Sequence, residues 1–278
     1  MTGPLAQAAP VGAADRSRAG RPEYRRASRL FVTGTAATAV LLAGTALLPA
    51  SARVPAWGLI DAAYLAGFAA VILRADPAPA ASLVVTDSLT ERFGAFIIIV
   101  LGETLTGVVA GLSGEPVSGL TLAVGLVAVV VGFGAWWTYF DFAGGRLPRT
   151  DPAATVQWIL GHLPLTAAMA AMGAAMVSLV DHAHDGRTPA DTAWLLSGGA
   201  AVVLGATMLV AASLQAWDRD RGVYRPLAVT CTAVACLGLG AARPTPLLLA
   251  VALVLLLSIP WGLAVARRLA SGTDSPGQ

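Results

Sequence analysis

Three ionisable side chains interrupt the long apolar stretches of this sequence, and any chemistry inside a membrane would have to run through them. Glu103 stands in the run Phe93–Leu112, His162 in Ala153–Val180 and Asp61 in Val54–Leu73. An ionisable group at mid-membrane costs roughly 2.5–3.5 kcal/mol on insertion scales, so each needs a physical reason. Glu103 lies eleven residues into its 20-residue run. Gly107 and Gly111 follow at i+4 and i+8, on a face small enough for another helix to approach. That spacing predicts that Glu103 points into protein. There it serves as a proton carrier or cation ligand, or as a neutral acid bonding two helices together.

His162 belongs to Gly161-His162-Leu163-Pro164. Pro164 cannot donate to the carbonyl of Leu160, which predicts a kink and a free acceptor. A histidine there can relay protons, hold an ion or satisfy the local backbone. Asp61 stands three residues before Tyr64, on one helical face, which suits either an Asp–Tyr pair or a bond between helices. Glu103 and His162 as one buried site is a hypothesis that sequence alone does not place. Around Asp181-His182-Ala183-His184-Asp185 the spacing suits at most a weak metal site in a solvated loop. No metal set, cofactor motif, phosphate loop, dinucleotide fingerprint or serine elbow occurs, so the expectation is a non-enzyme without a cofactor. Cys231 and Cys236 share one apolar run and read as packing residues.

The elements that must position these groups are membrane helices. Of the 278 residues 56% are apolar and 12% charged, and the charges cluster between uncharged stretches. A soluble domain carries roughly twice that charge fraction. The apolar runs are Leu30–Leu48, Val54–Leu73, Phe93–Leu112, Gly119–Phe140, Ala153–Val180, Thr192–Leu214, Leu227–Ala242 and Pro246–Ala266. About 20 residues cross the hydrocarbon core, and only the seventh run, with 16, falls short. The expected fold is an all-α transmembrane bundle of about eight spans. Its boundaries are a disordered basic N-terminus over 1–29, a membrane domain over 30–268 and a disordered tail over 269–278. Ser88-Leu89-Thr90-Glu91 reads as a capping box, and Asp151-Pro152 and Thr188-Pro189 as helix starts.

All 18 basic residues are Arg. With the N-terminus inside, fifteen fall on inner segments, and only Arg53, Arg187 and Arg243 fall outside. The positive-inside rule therefore predicts eight spans with both termini in the cytoplasm. Arg at helix ends, without a basic face, excludes a nucleic-acid partner. No internal repeat of the transporter kind is visible.

From Glu91 to Thr104 the chain reads Glu91-Arg92-Phe93-Gly94, then aliphatic residues, then Leu101-Gly102-Glu103-Thr104. This block resembles the signature of the bacterial low temperature requirement A family, with Thr104 where a serine is usual. Trp136-Trp137-Thr138-Tyr139-Phe140-Asp141 is similar to the family's second block, and Gly161-His162-Leu163-Pro164-Leu165 to its third. The resemblance runs from about residue 22 to 268. An acidic block on earlier spans has no counterpart, so the chain looks like the last two-thirds of a family member. The resemblance implies a multi-pass protein of the bacterial inner membrane with no settled reaction. Its recurring residues fall on Glu91, Arg92, Phe93, Gly94, Gly102, Glu103, Trp137, Asp141, His162 and Pro164. The expected activity is proton- or cation-linked transport or permeation, with Glu103 at the midplane, His162 as relay and Asp61 accessory. The alternative is a structural cold-stress factor that binds lipid or partner proteins. The expected partners are the bilayer, an unidentified small solute or ion and, as an open option, further copies of the chain.

Overall fold

The structure, a computed structural model, describes residues 22–74, 85–114, 118–218, 222 and 226–272. It divides into two compact units, Met1–Val84 and Val85–Gln278.

The first unit is a helical hairpin. Helix α1 spans Pro22–Gly44, a 3-10 turn covers Thr45–Leu47, and α2 spans Ala50–Leu73. The turn is held from inside: Trp57 Nε1 donates to Thr45 Oγ1 at 2.7 Å. Arg53 donates to the carbonyls of Leu48 and Ala46. Further along, the hydroxyls of Thr35 and Tyr64 meet at 3.1 Å. Residues 22–29, expected to be disordered, are helical. A proline at the first position followed by Glu, Arg and Ala favours helix beyond the hydrocarbon edge, where hydropathy gives no signal. Residues 1–21 lie outside the described part.

The second unit is a bundle of six helices: α3 (Asp87–Gly114), α4 (Gly119–Phe142), α5 (Pro152–Asp181), α6 (Ala190–Ala212), α7 (Pro226–Ala242) and α8 (Pro246–Gly272). Together the two units hold seven helices long and apolar enough to cross a membrane, and α7 is the shorter apolar helix. Its 17 residues reach roughly 25 Å, a little less than the hydrocarbon core. Helix α8 continues to Gly272, past the expected boundary at 268, for the same reason that α1 starts early.

Helices α5 and α6 form the centre, with half or more of their spans buried. Small residues set the approach. A Cβ on Gly199 of α6 would lie 2.5 Å from Met172 Cγ of α5. One on Gly173 of α5 would lie 2.7 Å from Thr104 Oγ1 of α3. Without a hydrophobic force between helices in lipid, such close packing is what holds them. Leucine, isoleucine, valine and phenylalanine cover the outside, including Phe96, Ile99, Leu126, Leu209 and Leu255. That is an inside-out pattern only lipid tolerates.

The ends of the bundle carry the polar ties. Asp151 caps α5, accepting from Ala154 N at 2.8 Å, as its sequence predicts. Ser118 caps α4, accepting from Thr121 N at 3.0 Å. At the start of α3 the cap differs from expectation: Thr86 Oγ1, not Ser88, accepts from Leu89 N. Thr188 also departs from its predicted role. Its hydroxyl donates to the Pro244 carbonyl at 2.6 Å, tying the α5–α6 loop to the α7–α8 loop. At the other end Arg149 donates to the Ala212 carbonyl at 2.7 Å.

Candidate functional site

The interior of the bundle holds one histidine, and its surroundings can be built residue by residue. Trp158 and His162 stand one turn apart on the inward face of α5 and are 0% and 1% exposed. His162 Nδ1 lies 2.6 Å from the Trp158 carbonyl oxygen. A carbonyl only accepts, so Nδ1 carries the hydrogen and donates. In the neutral ring Nε2 is then the acceptor. Nε2 lies 3.1 Å from the hydroxyl of Tyr139, which is itself fully buried in the last turns of α4. Tyr139 therefore donates to His162, and both ring nitrogens are satisfied.

Aromatic rings close the rest of the shell. Phe93 of α3 stands with its ring centre 4.6 Å from His162 and 4.8 Å from Trp158. Trp158 and His162 are 4.4 Å apart, and Tyr139 meets the imidazole edge-on at 5.6 Å. Gly94 lies against Phe140, whose ring would stand in ordinary contact, 3.6 Å, with a Cβ there. Trp158 Nε1 is buried with no hydrogen-bond partner. Half a turn on, Pro164 faces outward and withholds its amide, and Thr166 Oγ1 bridges the carbonyls of His162 and Leu163. The three sequence blocks thus meet here, through Phe93, Tyr139 and His162.

Glu103 is elsewhere. It is exposed on the outward side of α3 and is not among the polar partners of His162. The small face behind its prediction is real, since Val177 of α5 packs against both Gly107 and Gly111. The inward line of α3, however, runs Ile97, Thr104, Val108, Gly111, all buried. One residue is 100° of helix, so with Thr104 inward Glu103 turns out. Asp61 is exposed as well, and Tyr64 pairs with Thr35 rather than with it. Glu91 and Arg92 are exposed at the start of α3, and Gly102 faces open space. Trp137 is 53% exposed, whereas its neighbour Trp136 packs on Phe140 at 4.9 Å. Asp141 is half-buried, and its backbone carbonyl accepts from Arg146 Nη2 at 2.8 Å.

In the far loop, His184 Nε2 lies 3.0 Å from Ser118 Oγ and 3.3 Å from Thr121 Oγ1. His182 Nδ1 donates to the Ser178 carbonyl. Among the described residues no group of three or more His, Cys, Asp or Glu side chains is arranged to hold a metal ion. Cys231 is exposed and Cys236 buried, both free. Sequence reasoning missed Tyr139 and Trp158 as partners of His162. The i−4 spacing of Trp158 could have flagged the local carbonyl. Tyr139 was hidden among aromatic residues that suit a membrane interface equally well.

The chain matches the bacterial low temperature requirement A protein (LtrA) family over residues 5–259, and it belongs to that family. No curated protein matches it, and no solved structure does.

Proposed function

We propose that this multi-pass member of the family moves protons, or a small solute coupled to them, across the membrane. His162 and Tyr139 are the pair that takes up and hands on the proton. The observation that carries the reading is the 3.1 Å contact between Tyr139 Oη and His162 Nε2 in the bundle interior. A proton arriving on Nε2 turns that nitrogen from acceptor to donor. The Tyr139 hydroxyl must then turn its own hydrogen away and accept, and loss of the proton reverses the change. A charge transfer thereby becomes a rearrangement between α4 and α5. Glu103, halfway along α3, is the second proton- or cation-carrying group, and Asp61 is accessory. The Arg asymmetry favours cytoplasmic termini in a bacterial inner membrane.

Purified protein in liposomes, with a pH-sensitive dye inside and imposed proton, Na⁺ or K⁺ gradients, tests this. Parent protein is expected to change the internal pH, and His162→Gln and Glu103→Gln to lose most of that flux. A second reading, a structural factor for growth in the cold that binds lipid or partner proteins, draws on the close packing of the site. The small cavities beside Thr104 and beside Thr138 are not lined by His162. No flux from folded parent protein would overturn transport and leave the structural reading.

A further inference from the structure

The helical hairpin of the first unit carries a feature of its own. Its two helices touch at the Thr35–Tyr64 hydroxyl contact and leave an open, mostly apolar groove of about 560 Å³ between them. Small-molecule sites run roughly 300–1,000 Å³. Leu30, Gly34 and Leu41 line the groove from α1, and Leu59, Gly67 and Ile72 from α2. The glycines keep it open. A Cβ on Gly67 would meet nothing within 4 Å, and one on Gly34 only the Tyr64 ring at 3.9 Å. The groove has a definite depth. Leu30 to Leu41 is about 16 Å of helix, and Leu59 to Ile72 about 20 Å. Half of a ~30 Å hydrocarbon core is about 15 Å, so the groove is about one leaflet deep. It stops short of the turn where Trp57 donates to Thr45. Beyond its other end stand Arg29, just before Leu30, and Arg74, two residues after Ile72, both exposed. Arg74 continues the groove face of α2, following Val71 at i+3 and Gly67 at i+7. Neither guanidinium forms a hydrogen bond or ion pair among the described residues. The Arg asymmetry assigns this end to the cytoplasmic side.

We propose that this groove is a binding site for one anionic phospholipid of the cytoplasmic leaflet, with an acyl chain along the groove and the headgroup phosphate at Arg29 and Arg74. Depth and charge select that occupant. A transmembrane helix of a second copy would need a seat along the whole span, and this one ends about a leaflet in. An acyl chain of one leaflet has that reach. A neutral apolar solute would leave the two arginines without a role. Basic residues at the cytoplasmic headgroup level attract anionic lipid, and a guanidinium offers phosphate oxygens a planar fork of donors. The site shares no residue with the His162 shell, and it stands whether or not the bundle moves protons.

The test titrates the full chain in detergent micelles with two phospholipids of identical chains, one with a phosphoglycerol and one with a phosphocholine headgroup. Native mass spectrometry counts the lipid retained. One phosphoglycerol lipid per chain is expected, in preference to its phosphocholine twin. Arg29→Gln and Arg74→Gln should each weaken that retention roughly fivefold. Gly67→Leu sends a side chain into open groove without meeting the fold, and should abolish retention of the phosphoglycerol lipid. Equal retention of the two lipids, or retention that survives both Arg substitutions together, overturns the proposal. So does unchanged retention in Gly67→Leu, or loss of a dimer rather than of lipid in that variant. If Gly67→Leu does not fold, a phosphoglycerol lipid with a photoactivatable group at its chain end decides with the parent protein. Cross-links to Leu41 or Leu59, where the groove ends, support the site, and cross-links to the six-helix bundle alone refute it.

Discussion

Replacing Tyr139 with Phe isolates one bond at the centre of the bundle. The ring stays, and with it the edge contacts to Phe140 and His162. Only the hydroxyl at 3.1 Å from Nε2 is lost. Because the Nδ1 hydrogen is committed to the Trp158 carbonyl, Nε2 cannot find a substitute by switching tautomer. Leaving a buried acceptor unpaired costs about 1–3 kcal/mol in soluble proteins. Hydrogen bonds between membrane helices are worth less, about 0.6 kcal/mol on average and 1.7 at most, because the unfolded chain in lipid also finds partners. His162 is fully enclosed by rings, so the upper part of the membrane range applies. The expected cost is about 1 kcal/mol, roughly a fivefold shift toward the unfolded state. Denaturant titration of the protein in lipid micelles, followed by tryptophan emission, measures it. The same substitution in a His162→Leu background should cost almost nothing, since the acceptor is gone. A neutral or stabilising Tyr139→Phe, or an equal cost in both backgrounds, would refute the tautomer argument.

Two further substitutions probe the packing and the caps. Gly173→Ala would set a methyl 2.7 Å from Thr104 Oγ1 and 3.2 Å from Thr104 Cα, a backbone atom that cannot swing away. A loss of about 1–3 kcal/mol in the same titration is expected, while Gly102→Ala, in open space, should stabilise by up to about 1 kcal/mol. Asp151→Ala removes the cap on Ala154 N and should cost about 0.5–2 kcal/mol, visible as faster amide exchange in the first turn of α5.

The sequence makes some levels of this fold plain and hides others, and the physics explains which. Length without charge reveals the seven helices long enough to cross and the shorter apolar α7, because the bilayer sets that length. Asp151 before Pro152 reveals a helix start, because a cap is a local bond between neighbours. Helix ends beyond the lipid are not legible from hydropathy. Pro22–Arg29 is helical although polar, and Thr86 takes the cap expected of Ser88. Facing is the hardest level. In water an amphipathic stripe points inward, but both sides of α4 are apolar, with Val131 buried and Val130 half exposed. Small and hydroxyl residues then carry the only signal. It marked the Gly107–Gly111 stripe as a face that another helix approaches, where Val177 packs, and it failed for Glu103 by one residue, a turn of 100°. Tyr139 could not be assigned as the partner of His162, because that pairing joins residues 23 apart on different helices.

The three blocks divide by side once their positions in the bundle are known. Phe93, Tyr139, Phe140 and His162 gather in one aromatic cluster beside Gly94, and His162 holds two buried hydrogen bonds there, to Tyr139 and to the Trp158 carbonyl. Glu91, Arg92, Gly102, Glu103, Trp137 and Pro164 lie on the exposed side. Glu91 and Arg92 fit the headgroup region at the start of α3, and Trp137 fits an interfacial ring. Glu103 fits neither. It lies four turns into α3, where an ionisable group costs roughly 2.5–3.5 kcal/mol on insertion scales, and among the described residues it forms no hydrogen bond or ion pair in return. A protein in which Glu103 bonds a neighbour and serves the fold would lose stability by a leucine at that position. A protein that exchanges a proton or cation there would lose its function by the same change. For that reason Glu103→Leu separates the two readings on stability alone: a more stable, flux-dead variant is expected, and a less stable one would mean that Glu103 bonds a partner and serves the fold.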